Sequence, residues 1–591
     1  MSSESILFSE VAEHFEKLEK TQSRLEMIDI LEELFNDTPP NSIDKLCYLL
    51  LGEIDADFKH IKLGLGEKLV QKGVAKAFSL SNEEVEKLFR ETGDLGEAAE
   101  VASEKGSKGL KAFTKGERKG LSLKEVHSSF LKIANAEGSG SQDKKLNILA
   151  GLLSNSTNKG CRYITRIALS KLRLGVGDMT ILDALAETYT GSKDNRPQIE
   201  HIYNISSDVG LVAKKVAEDG VSGLDDVGVE IGRPIRMMLA QRLKKLSEIK
   251  EKMGGDEFAA EEKYDGERMQ IHKDGENVRV FSRRLEEITK QYPDVVEYIK
   301  DNVDIDEAIM EGEAVAVQDG ELQSFQKLMR RKRKYDIEEF VDKIPVKLFL
   351  FDLLYVEGES YLKKSYPKRR EKLEQIVDET DNLKFSRRIV TDNLDKIDEF
   401  FEESINRGNE GILAKSCDED SVYRAGAREW LWIKWKKDYT SKLSDTLDLT
   451  VVGALAGKGR RSGTYGALLC AAYNHEKDVF ETLCKVGTGF TDEDLELLPK
   501  KLEEFEIDHK PARVVSEIEP TQWFQPNLVV EVEGAELTKS PVHTAGLDRI
   551  EEDKGLAIRF PRYLNLREDK SPDESTTVSE LMEMYENQEK I

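Results

Sequence analysis

Cysteine is scarce in this chain, and long apolar runs are missing. Its 591 residues include only five cysteines, which are scattered and form no C-x-x-C pair. This spacing excludes a disulfide framework and a cysteine-based zinc site. No window reaches the apolar length of a membrane span, and no basic start leads into an apolar stretch. We therefore expect a soluble, cytoplasmic protein with reduced thiols.

Positive charge is also in deficit. Lys and Arg number 88 against 114 acidic residues, so the formal net charge is −26. The phosphate backbone of DNA repels such a chain on average, which argues against non-specific coating of DNA. Local basic clefts in an acidic surface would still allow DNA binding at defined places.

Three segments of different periodicity predict domains at residues 1–230, 231–440 and 441–591. In the first, apolar residues recur at helical spacing, which predicts an all-α domain. In the second, alternating strands such as the hairpin 268–281, with its Asp274-Gly275 turn, are interspersed with helical stretches; they predict an α+β domain. In the third, short strand-like runs with Gly-rich turns suit a Greek-key β-barrel.

The segment Lys263–Arg268 reads K-x-D-G-x-R. A lysine is a nucleophile only when it is neutral, so a site that uses one must lower its pKa through desolvation or nearby positive charge. Gly266 has no side chain and would let the backbone approach a phosphate. Taken alone, the segment also fits a surface turn, so its chemical interpretation depends on the motifs that follow it.

Carboxylates occur at two further places in the central segment. Glu311 and Glu313 are two residues apart in a predicted strand, so they face the same side. We expect Glu311 to be an exposed companion of Glu313. Glu410 begins the sequence E-G-I-L-A-K, which ends at Lys415. A carboxylate of this kind suits Mg²⁺, which prefers hard oxygen ligands and keeps several waters.

The predicted strand 430–436 has two different faces. Lys434 and Lys436 lie together on one of them. Two lysines on one face of a strand repel each other unless an anion lies between them. An anion-binding site and a solvated sheet edge are therefore the two interpretations of this strand.

In their order and spacing, these motifs resemble those of the ATP-dependent DNA ligases of the covalent nucleotidyltransferase superfamily, most closely the archaeal and eukaryal replicative type. The resemblance is strongest between residues 232 and 570. It implies an adenylation (nucleotidyltransferase) domain followed by an OB-fold domain, with ATP and Mg²⁺ as cofactors. The implied activity is the sealing of 5′-phosphate/3′-hydroxyl nicks in duplex DNA through a lysyl-AMP intermediate, in replication, repair and recombination.

The resemblance also implies roles for individual residues. Lys263 is the implied nucleophile, which attacks the α-phosphorus of ATP, and Glu313 and Glu410 are the implied metal ligands. Phe351 is the implied adenine-stacking ring, while Phe349, on the same strand face, stays open as an alternative. The implied nucleotide contacts are Glu261, Arg268, Arg283, Glu313, Phe351, Lys415, Arg428, Lys434, Lys436 and Lys570.

Nicked duplex DNA is the implied partner, and the helical domain is implied to bind it. The segment 559–570 resembles the last family motif, which moves over the ATP site and away again. Gly109–Phe113 is a poor version of a sliding-clamp motif, and we expect a monomer. The candidate DNA-phosphate contacts are Arg162, Arg166, Lys171, Arg173, the basic run 330–334 and the Gly-rich loop 458–463.

Two other functions remain open. An RNA ligase or a capping-type guanylyltransferase could use the same core motifs, although the long helical segment and the block ending at Lys570 favour a DNA ligase. A catalytically silent DNA-binding scaffold is the second alternative, against which the intact Lys263, Glu313 and Glu410 argue.

The sequence does not distinguish ATP from ADP or GTP as the nucleotide. We see no zinc-finger or BRCT-like segment, and this weighs against NAD.

Overall fold

The computed structural model describes residues 5–110, 120–243, 246–255, 257–318, 320–323, 325–328, 331, 344–436, 446–456 and 465–589. Three sequence motifs lie wholly or largely outside this part of the chain: the loop 458–463, the basic run 330–334 apart from Arg331, and the clamp-like 109–113 beyond Leu110. No helix in the described ranges is long and apolar enough to span a bilayer.

The N-terminal part is built from α-helices, as its apolar periodicity predicts. Capping residues mark the N-termini of several of these helices; for example, Ser122 forms a capping box with Glu125 at the start of one of them. Buried side chains from these helices form one core, which extends to Phe351 and Trp432 of the central part. The helices are α1 (Phe8–Lys20), α2 (Arg24–Asn36), α3 (Pro40–Leu50), α4 (Glu67–Phe78), α5 (Asn82–Thr92), α6 (Leu95–Leu110), α7 (Leu123–Ala134), α8 (Ser141–Asn155), α9 (Asn158–Ala168), α10 (Asp178–Thr190), α11 (Arg196–Ser206) and α12 (Val209–Asp219).

The central part combines strands with a few helices. Its strands are β1 (Leu239–Arg242), β2 (Phe258–Lys263), β3 (Glu267–Asp274), β4 (Asn277–Ser282), β5 (Glu307–Gln318), β6 (Glu321–Leu322), β7 (Val346–Val356), β8 (Glu359–Ser360), β9 (Leu383–Phe385), β10 (Arg388–Thr391), β11 (Gly411–Ser416) and β12 (Arg428–Lys436). Its helices are α13 (Ile249–Met253), α14 (Pro293–Asn302), α15 (Phe325–Leu328), α16 (Tyr366–Ile376) and α17 (Leu394–Asn406).

Two sheets organise this part. The seven-stranded sheet has the order β4-β3-β5-β7-β8, with β6 beside β5 and β9 beside β7, and the five-stranded sheet has the order β1-β12-β11-β2-β10. The predicted hairpin is present as β3 and β4, paired from Met269 to Asp274. The predicted α+β character of the segment is therefore confirmed.

The register of the five-stranded sheet brings distant sequence motifs side by side. Gly411 on β11 lies between Lys263 on β2 and Lys436 on β12. Two residues further along, Leu413 lies between Glu261 and Lys434. Because side chains alternate along a strand, these two rows point to the same face of the sheet.

The C-terminal part is rich in strands and has a core of its own. One eight-stranded sheet contains the path β16-β18-β13-β14-β15-β17, with β19 joining β13 to β22, and β20 and β21 form a separate pair. The elements are β13 (Leu447–Ala456), β14 (Tyr465–Asn474), β15 (Val479–Val486), α18 (Asp492–Leu502), β16 (Glu506–Ile507), β17 (Val514–Val515), β18 (Gln522–Phe524), β19 (Val529–Glu533), β20 (Glu536–Ser540), β21 (Gly555–Arg559), β22 (Arg562–Leu566) and α19 (Val578–Glu589).

The helical and C-terminal parts touch directly through the loop before α10. Arg173 donates hydrogen bonds to the backbone carbonyls of Glu503 and Glu506. The backbone at Gly177 lies so close to Arg513 that an added Cβ would be 2.3 Å from its Nη1. The loop is therefore packed against the C-terminal strands, in a contact that no sequence motif predicts.

Candidate active site

A cavity of about 800 Å³ lies where both central sheets meet the C-terminal part. The twelve site residues that the sequence predicts come from strands and loops far apart in the chain. All of them except Lys415 line this cavity: Glu261, Lys263, Arg268, Arg283, Glu313, Phe351, Glu410, Arg428, Lys434, Lys436 and Lys570.

Lys263 lies at the end of β2 beside a carboxylate. Its Nζ is 2.6 Å from Glu410 Oε2, and the same oxygen is 2.9 Å from Lys436 Nζ. Burial alone would raise the pKa of the Glu410 carboxyl, but the ammonium groups of Lys263 and Lys436 hold it well below its usual range. Glu410 is therefore a carboxylate at neutral pH and the shared counter-ion of two lysines.

Gly266 packs closely against β5, which its sequence context does not predict. A Cβ at this position would lie 2.4 Å from the backbone oxygen of Ala314 and 2.9 Å from Glu313 Cγ. The glycine therefore admits the backbone of β5, which carries Glu313 into the cavity. Gly411 is crowded in the same way, since its Cβ would lie 2.1 Å from the Trp435 carbonyl oxygen, at a φ of +148°.

Aromatic rings form one wall of the cavity. Phe351 and Trp432 meet edge to face, with ring centroids 6.3 Å apart. The Arg268 guanidinium carbon lies 5.4 Å from the first ring centroid and 5.3 Å from the second. Phe349 instead stacks on Tyr264 at 4.0 Å and does not line the cavity. This placement favours Phe351 over Phe349 as the ligand-stacking ring.

Lys415 is placed differently from the predicted phosphate contact. Its side chain is fully buried and its Nζ is 2.8 Å from Glu261 Oε2. The same ammonium lies 4.5 Å from the Trp432 ring centroid and 4.8 Å from that of Phe351. Lys415 therefore supports the aromatic wall from behind and pairs with Glu261, and its predicted contact with phosphate stays a prediction.

Glu311 is not the exposed companion that its spacing predicts. Its residue is 0% exposed, and its Oε2 accepts a hydrogen bond from Arg268 Nη2 at 2.8 Å. Tyr423 donates to the other oxygen at 3.0 Å. The expectation failed because the partner of Glu311 comes from β3, and its burial depends on the packing of the helical part against that sheet.

Glu313 faces the cavity in a different electrostatic setting. Burial raises the pKa of its carboxyl to about 7, although Lys263 and Arg268 oppose the shift. Burial also raises the pKa of the nearby Asp265.

The described chain contains no group of three acidic, histidine or cysteine side chains placed to hold a metal ion. One or two carboxylates together with phosphate oxygens are the donor set that Mg²⁺ commonly takes, and Glu313 and Glu410 fit it.

The C-terminal part supplies acids to the cations of the central part. Arg283 Nε lies 2.8 Å from Glu574 Oε1, and Arg428 forms an ion pair with Glu580. Both acids line the cavity, and sequence analysis missed them, since nothing local marks a counter-ion that reaches across from another part of the fold.

Lys434 is the exception among these cations. Burial lowers its pKa well below the ordinary value; Arg242, Arg428 and Lys570 add to the effect, and Glu580 opposes it. Within the described ranges no acid lies within ion-pair distance of its Nζ. A desolvated ammonium that lacks an ion-pair partner is destabilised, so an anionic ligand near the half-buried Lys434 would be favoured.

Trp432 was also missed, although a signal for it exists. It lies two residues before Lys434 on β12, so strand alternation puts it on the same face as Lys434 and Lys436. Arg242 lines the cavity as well. It reaches Lys434 through the parallel pairing of β1 with β12, which no local pattern predicts.

Two of the predicted DNA contacts on α9 are engaged inside the protein. Arg162 Nε donates to Glu100 at 2.6 Å. Arg166 is buried, and it donates to Glu19 at 2.8 Å and to Asp94 at 3.0 Å. The prediction of a phosphate contact is therefore wrong for Arg166, whose basic helix looked solvent-facing because its acidic partners come from α1 and the α5–α6 connection.

Two other predicted DNA contacts are also engaged by groups of the protein itself. Arg173 reaches the C-terminal part, as described above. Arg331 of the basic run is 1% exposed and binds Asp294 through two hydrogen bonds of 3.0 and 2.7 Å. Lys171 is half-buried and remains a candidate phosphate contact.

Comparison with known proteins adds the family. A model of the "ATP dependent DNA ligase domain" matches residues 237–436, one of the "DNA ligase N terminus" matches 7–186, and one of the "ATP dependent DNA ligase C terminal region" matches 461–570. The DNA ligase of Sulfophobococcus zilligii is 49% identical over 98% of this chain and 96% of its own. That of Staphylothermus marinus is 47% identical over 98% and 99%.

The chain belongs to the ATP-dependent DNA ligases. It is thus a multidomain ligase with an N-terminal helical domain, a central nucleotidyltransferase domain and a strand-rich C-terminal domain. Ligases of this family use ATP with a divalent metal ion and seal nicks in DNA. The predicted family, activity and cofactors are therefore confirmed.

The match to the helical N terminus of DNA ligases weighs against the RNA-ligase and capping alternatives. Among solved structures, mycobacterial DNA ligase D complexed with ATP and MES aligns with 58% of this ligase and 97% of its own chain, at 25% identity and a TM-score of 0.33.

Proposed function

We propose that this cavity loads AMP onto Lys263 and then passes it to the 5′-phosphate of a DNA nick. The observation that carries the proposal is the convergence of Lys263, the Phe351–Trp432 wall and a set of cations on one cavity. In the loading step, a bond forms between Lys263 Nζ and the α-phosphorus of ATP. The bond from that phosphorus to the bridging oxygen breaks, and pyrophosphate leaves with the electron pair.

The nucleoside half of ATP fits the aromatic side of the cavity. Phe351, a buried residue that lines the cavity, offers a flat ring against which adenine can stack. Glu261, 2% exposed and held by Lys415, offers carboxylate oxygens that can accept hydrogen bonds from an exocyclic amine. Arg268, fixed by Glu311, is oriented to reach the ribose. The buried partners keep these groups in place before the ligand arrives.

The phosphate half fits the cationic side. Lys434 and Lys436 share a face of β12 next to Lys263, and their charges would stabilise negative charge that develops on the α-phosphate. Arg283, Arg428 and Lys570 surround the remaining space. In the present structure carboxylates of the C-terminal domain neutralise these three cations. Phosphates that bind Arg283 and Arg428 would have to displace Glu574 and Glu580.

Lys263 must be neutral when it attacks, yet its ammonium is paired with Glu410. Glu410 is a poor base because its pKa is held low, so its task is to stabilise charge rather than to remove the proton. Mg²⁺, held by Glu313 and Glu410, would supply a positive charge that polarises the phosphate.

The later steps need DNA in contact with all three domains, which we place at residues 1–230, 231–440 and 441–591. AMP passes to the 5′-phosphate of the nick, and the 3′-hydroxyl then attacks that phosphate and expels AMP. An OB-fold is our proposal for the C-terminal strands. Phe560, 73% exposed in the short connection between β21 and β22, beside Arg559 and Arg562, suits a contact with the minor groove of the duplex.

The clamp-like Gly109–Phe113 and the monomeric state stay predictions. The cytoplasmic location is likewise a proposal, supported by the lack of a spanning helix in the described chain.

The decisive experiment incubates the protein with α-³²P-ATP and Mg²⁺ in the absence of DNA. Lys263→Ala removes the nucleophile, and Lys300→Ala, an exposed lysine on α14, is the matched control. We expect covalent label on the wild type and on Lys300→Ala but none on Lys263→Ala, with release of the label when nicked DNA is added.

Label on Lys263→Ala would contradict the assigned nucleophile. Discharge by RNA ends alone would favour the RNA-ligase alternative. An unlabelled wild type would overturn the loading step altogether and would support the silent DNA-binding scaffold.

A further inference from the structure

Asp448 is a buried carboxylate of the C-terminal domain that lines the nucleotide cavity. It lies on β13 and is tied to the segment before α19 by two hydrogen bonds. Its backbone N–H donates to Thr576 Oγ1 at 3.0 Å, and its carbonyl oxygen accepts from the Thr576 N–H at 2.7 Å. These bonds fix the position from which its side chain enters the cavity.

The carboxylate of Asp448 binds two cations of the segment 559–570. One oxygen accepts a hydrogen bond from Lys570 Nζ, and the other accepts from Arg567 Nη1 at 2.9 Å. Arg567 has a second acidic partner, since Asp569 accepts from it at 2.8 and 2.7 Å. Across the described residues, Asp448 is the one acid that forms an ion pair with Lys570.

Lys570 depends on this partner because its surroundings disfavour an ammonium. Burial lowers the pKa of Lys570 to about 8; Arg567 and Arg283 contribute to the lowering, and Asp448 opposes it. The charged groups that face Lys570 are Asp448, Asp569, Glu574, Arg567, Arg283 and Lys434.

We propose that Asp448 is a positioning residue for the loading step, which holds the Lys570 ammonium and the Arg567 guanidinium against the cavity where pyrophosphate leaves. The inference rests on the proposed function and deepens it, because it has meaning only if ATP is cleaved in this cavity. Asp448 acts through these two cations and contacts neither Lys263 nor Glu410. Sealing of a nick that already carries AMP skips the loading step and does not need it.

Asp448→Asn tests the proposal, because asparagine keeps the shape and removes the charge. Loading is measured as the single-turnover rate of lysyl-AMP formation, and sealing is measured separately on nicked DNA with a pre-formed 5′-adenylate. We expect loading to slow by roughly tenfold or more and sealing of the adenylated nick to stay within about twofold. Asp448→Glu should restore part of the loading rate.

The pH profile of loading separates positioning from a merely structural role. Asp448 raises the pKa of Lys570, so its loss lowers that pKa, and the fall in loading rate at alkaline pH moves to lower pH. In a Lys570→Arg background the cation at position 570 stays charged throughout the pH range. Asp448→Asn should then no longer shift the fall in loading rate at alkaline pH.

Glu551→Gln removes an exposed acid from the same domain, where it pairs with Lys539 and Lys554, and serves as the control for net charge. Loading by Asp448→Asn at the wild-type rate and with the wild-type pH profile would overturn the inference. Equal loss of loading and sealing would also overturn it, because it would indicate a general structural defect. Failure of the proposed function itself is distinguishable, since the wild type would then form no lysyl-AMP.

Discussion

At the scale of single residues, most of the cavity cations that the sequence predicts have an acidic partner, and Lys434 is the exception among them. Lys263 and Lys436 share Glu410, while Arg268, Arg283, Arg428 and Lys570 each have an acidic partner. Each ion pair compensates for the cost of removing its charges from water. Lys434 forms no ion pair in the described chain, and the more distant Glu580 offsets its desolvation only in part, so its partial burial is a cost that the free protein bears.

Lys434→Met is expected to stabilise the free protein and to abolish loading of AMP. Methionine fills a similar volume without a charge, and we expect a gain of about 1 kcal/mol in the free energy of unfolding near pH 7. Thermal unfolding without nucleotide measures the first effect, and lysyl-AMP formation measures the second.

The pH dependence gives this prediction its sign. The pKa of Lys434 is lower in the folded than in the unfolded chain, so the unfolded chain binds more protons, and wild-type stability rises with pH across the interval between the two values. The gain from Lys434→Met should consequently shrink as pH approaches the ordinary pKa of lysine. Lys436→Met, which removes a partner of Glu410, should give no such gain; an equal gain in both variants would contradict the argument.

At the scale of elements, the hairpin β3–β4 and the central strands follow from local patterns. Alternating side chains and the Asp274-Gly275 turn predict the hairpin, and alternation on β12 predicts that Lys434 and Lys436 share a face. The role of Gly266 does not follow from such a pattern, because it depends on how closely β5 approaches a turn some fifty residues earlier in sequence.

Gly266→Ala is expected to destabilise the fold and to slow loading, since the added Cβ would meet the Ala314 carbonyl oxygen at 2.4 Å. Relief of that contact would shift β5 and with it Glu313, and overpacking of this kind costs about 1–3 kcal/mol. Chemical denaturation and the rate of lysyl-AMP formation measure the two effects.

Gly151→Ala is the matched control, because Gly151 lies on α8 with open space around its Cβ position. Alanine there should be neutral or stabilising by up to about 1 kcal/mol, from helix propensity. If Gly266→Ala behaved like this control, close approach of β5 would not be the reason for the glycine.

At the scale of the whole molecule, the three-part architecture follows from periodicity, but the docking of its parts does not. Arg166 and Arg173 belong to a basic segment that resembles a DNA-binding surface. Arg166, however, is buried against acidic residues of the helical domain, and Arg173 donates to backbone carbonyls of the C-terminal domain. Asp448, Glu574 and Glu580 lie in sequence that shows no motif for a counter-ion. Contacts between domains therefore cannot be predicted from the local sequence of either domain.

Arg173→Ala and Lys171→Ala are expected to have different effects, although the two residues are near neighbours. Arg173→Ala removes a contact between the helical and C-terminal domains, so it should increase the radius of gyration measured by small-angle X-ray scattering and leave the salt dependence of DNA binding unchanged. Lys171→Ala should leave the radius of gyration unchanged, weaken DNA binding and reduce the salt slope by about one.

A lower salt slope in Arg173→Ala with an unchanged radius of gyration would instead return Arg173 to the DNA-binding surface. The two measurements together therefore decide which of its two roles this arginine has in the free enzyme.

The division of the cavity between two domains has a consequence for the exchange of parts among related ligases. A C-terminal domain taken from a relative brings its own acids to the positions of Glu574 and Glu580, and these must match the host's Arg283 and Arg428. In a chimera, both domains can thus fold correctly while the ion pairs between them do not form. Successful recombination of such enzymes would have to transfer the four residues as one inherited unit.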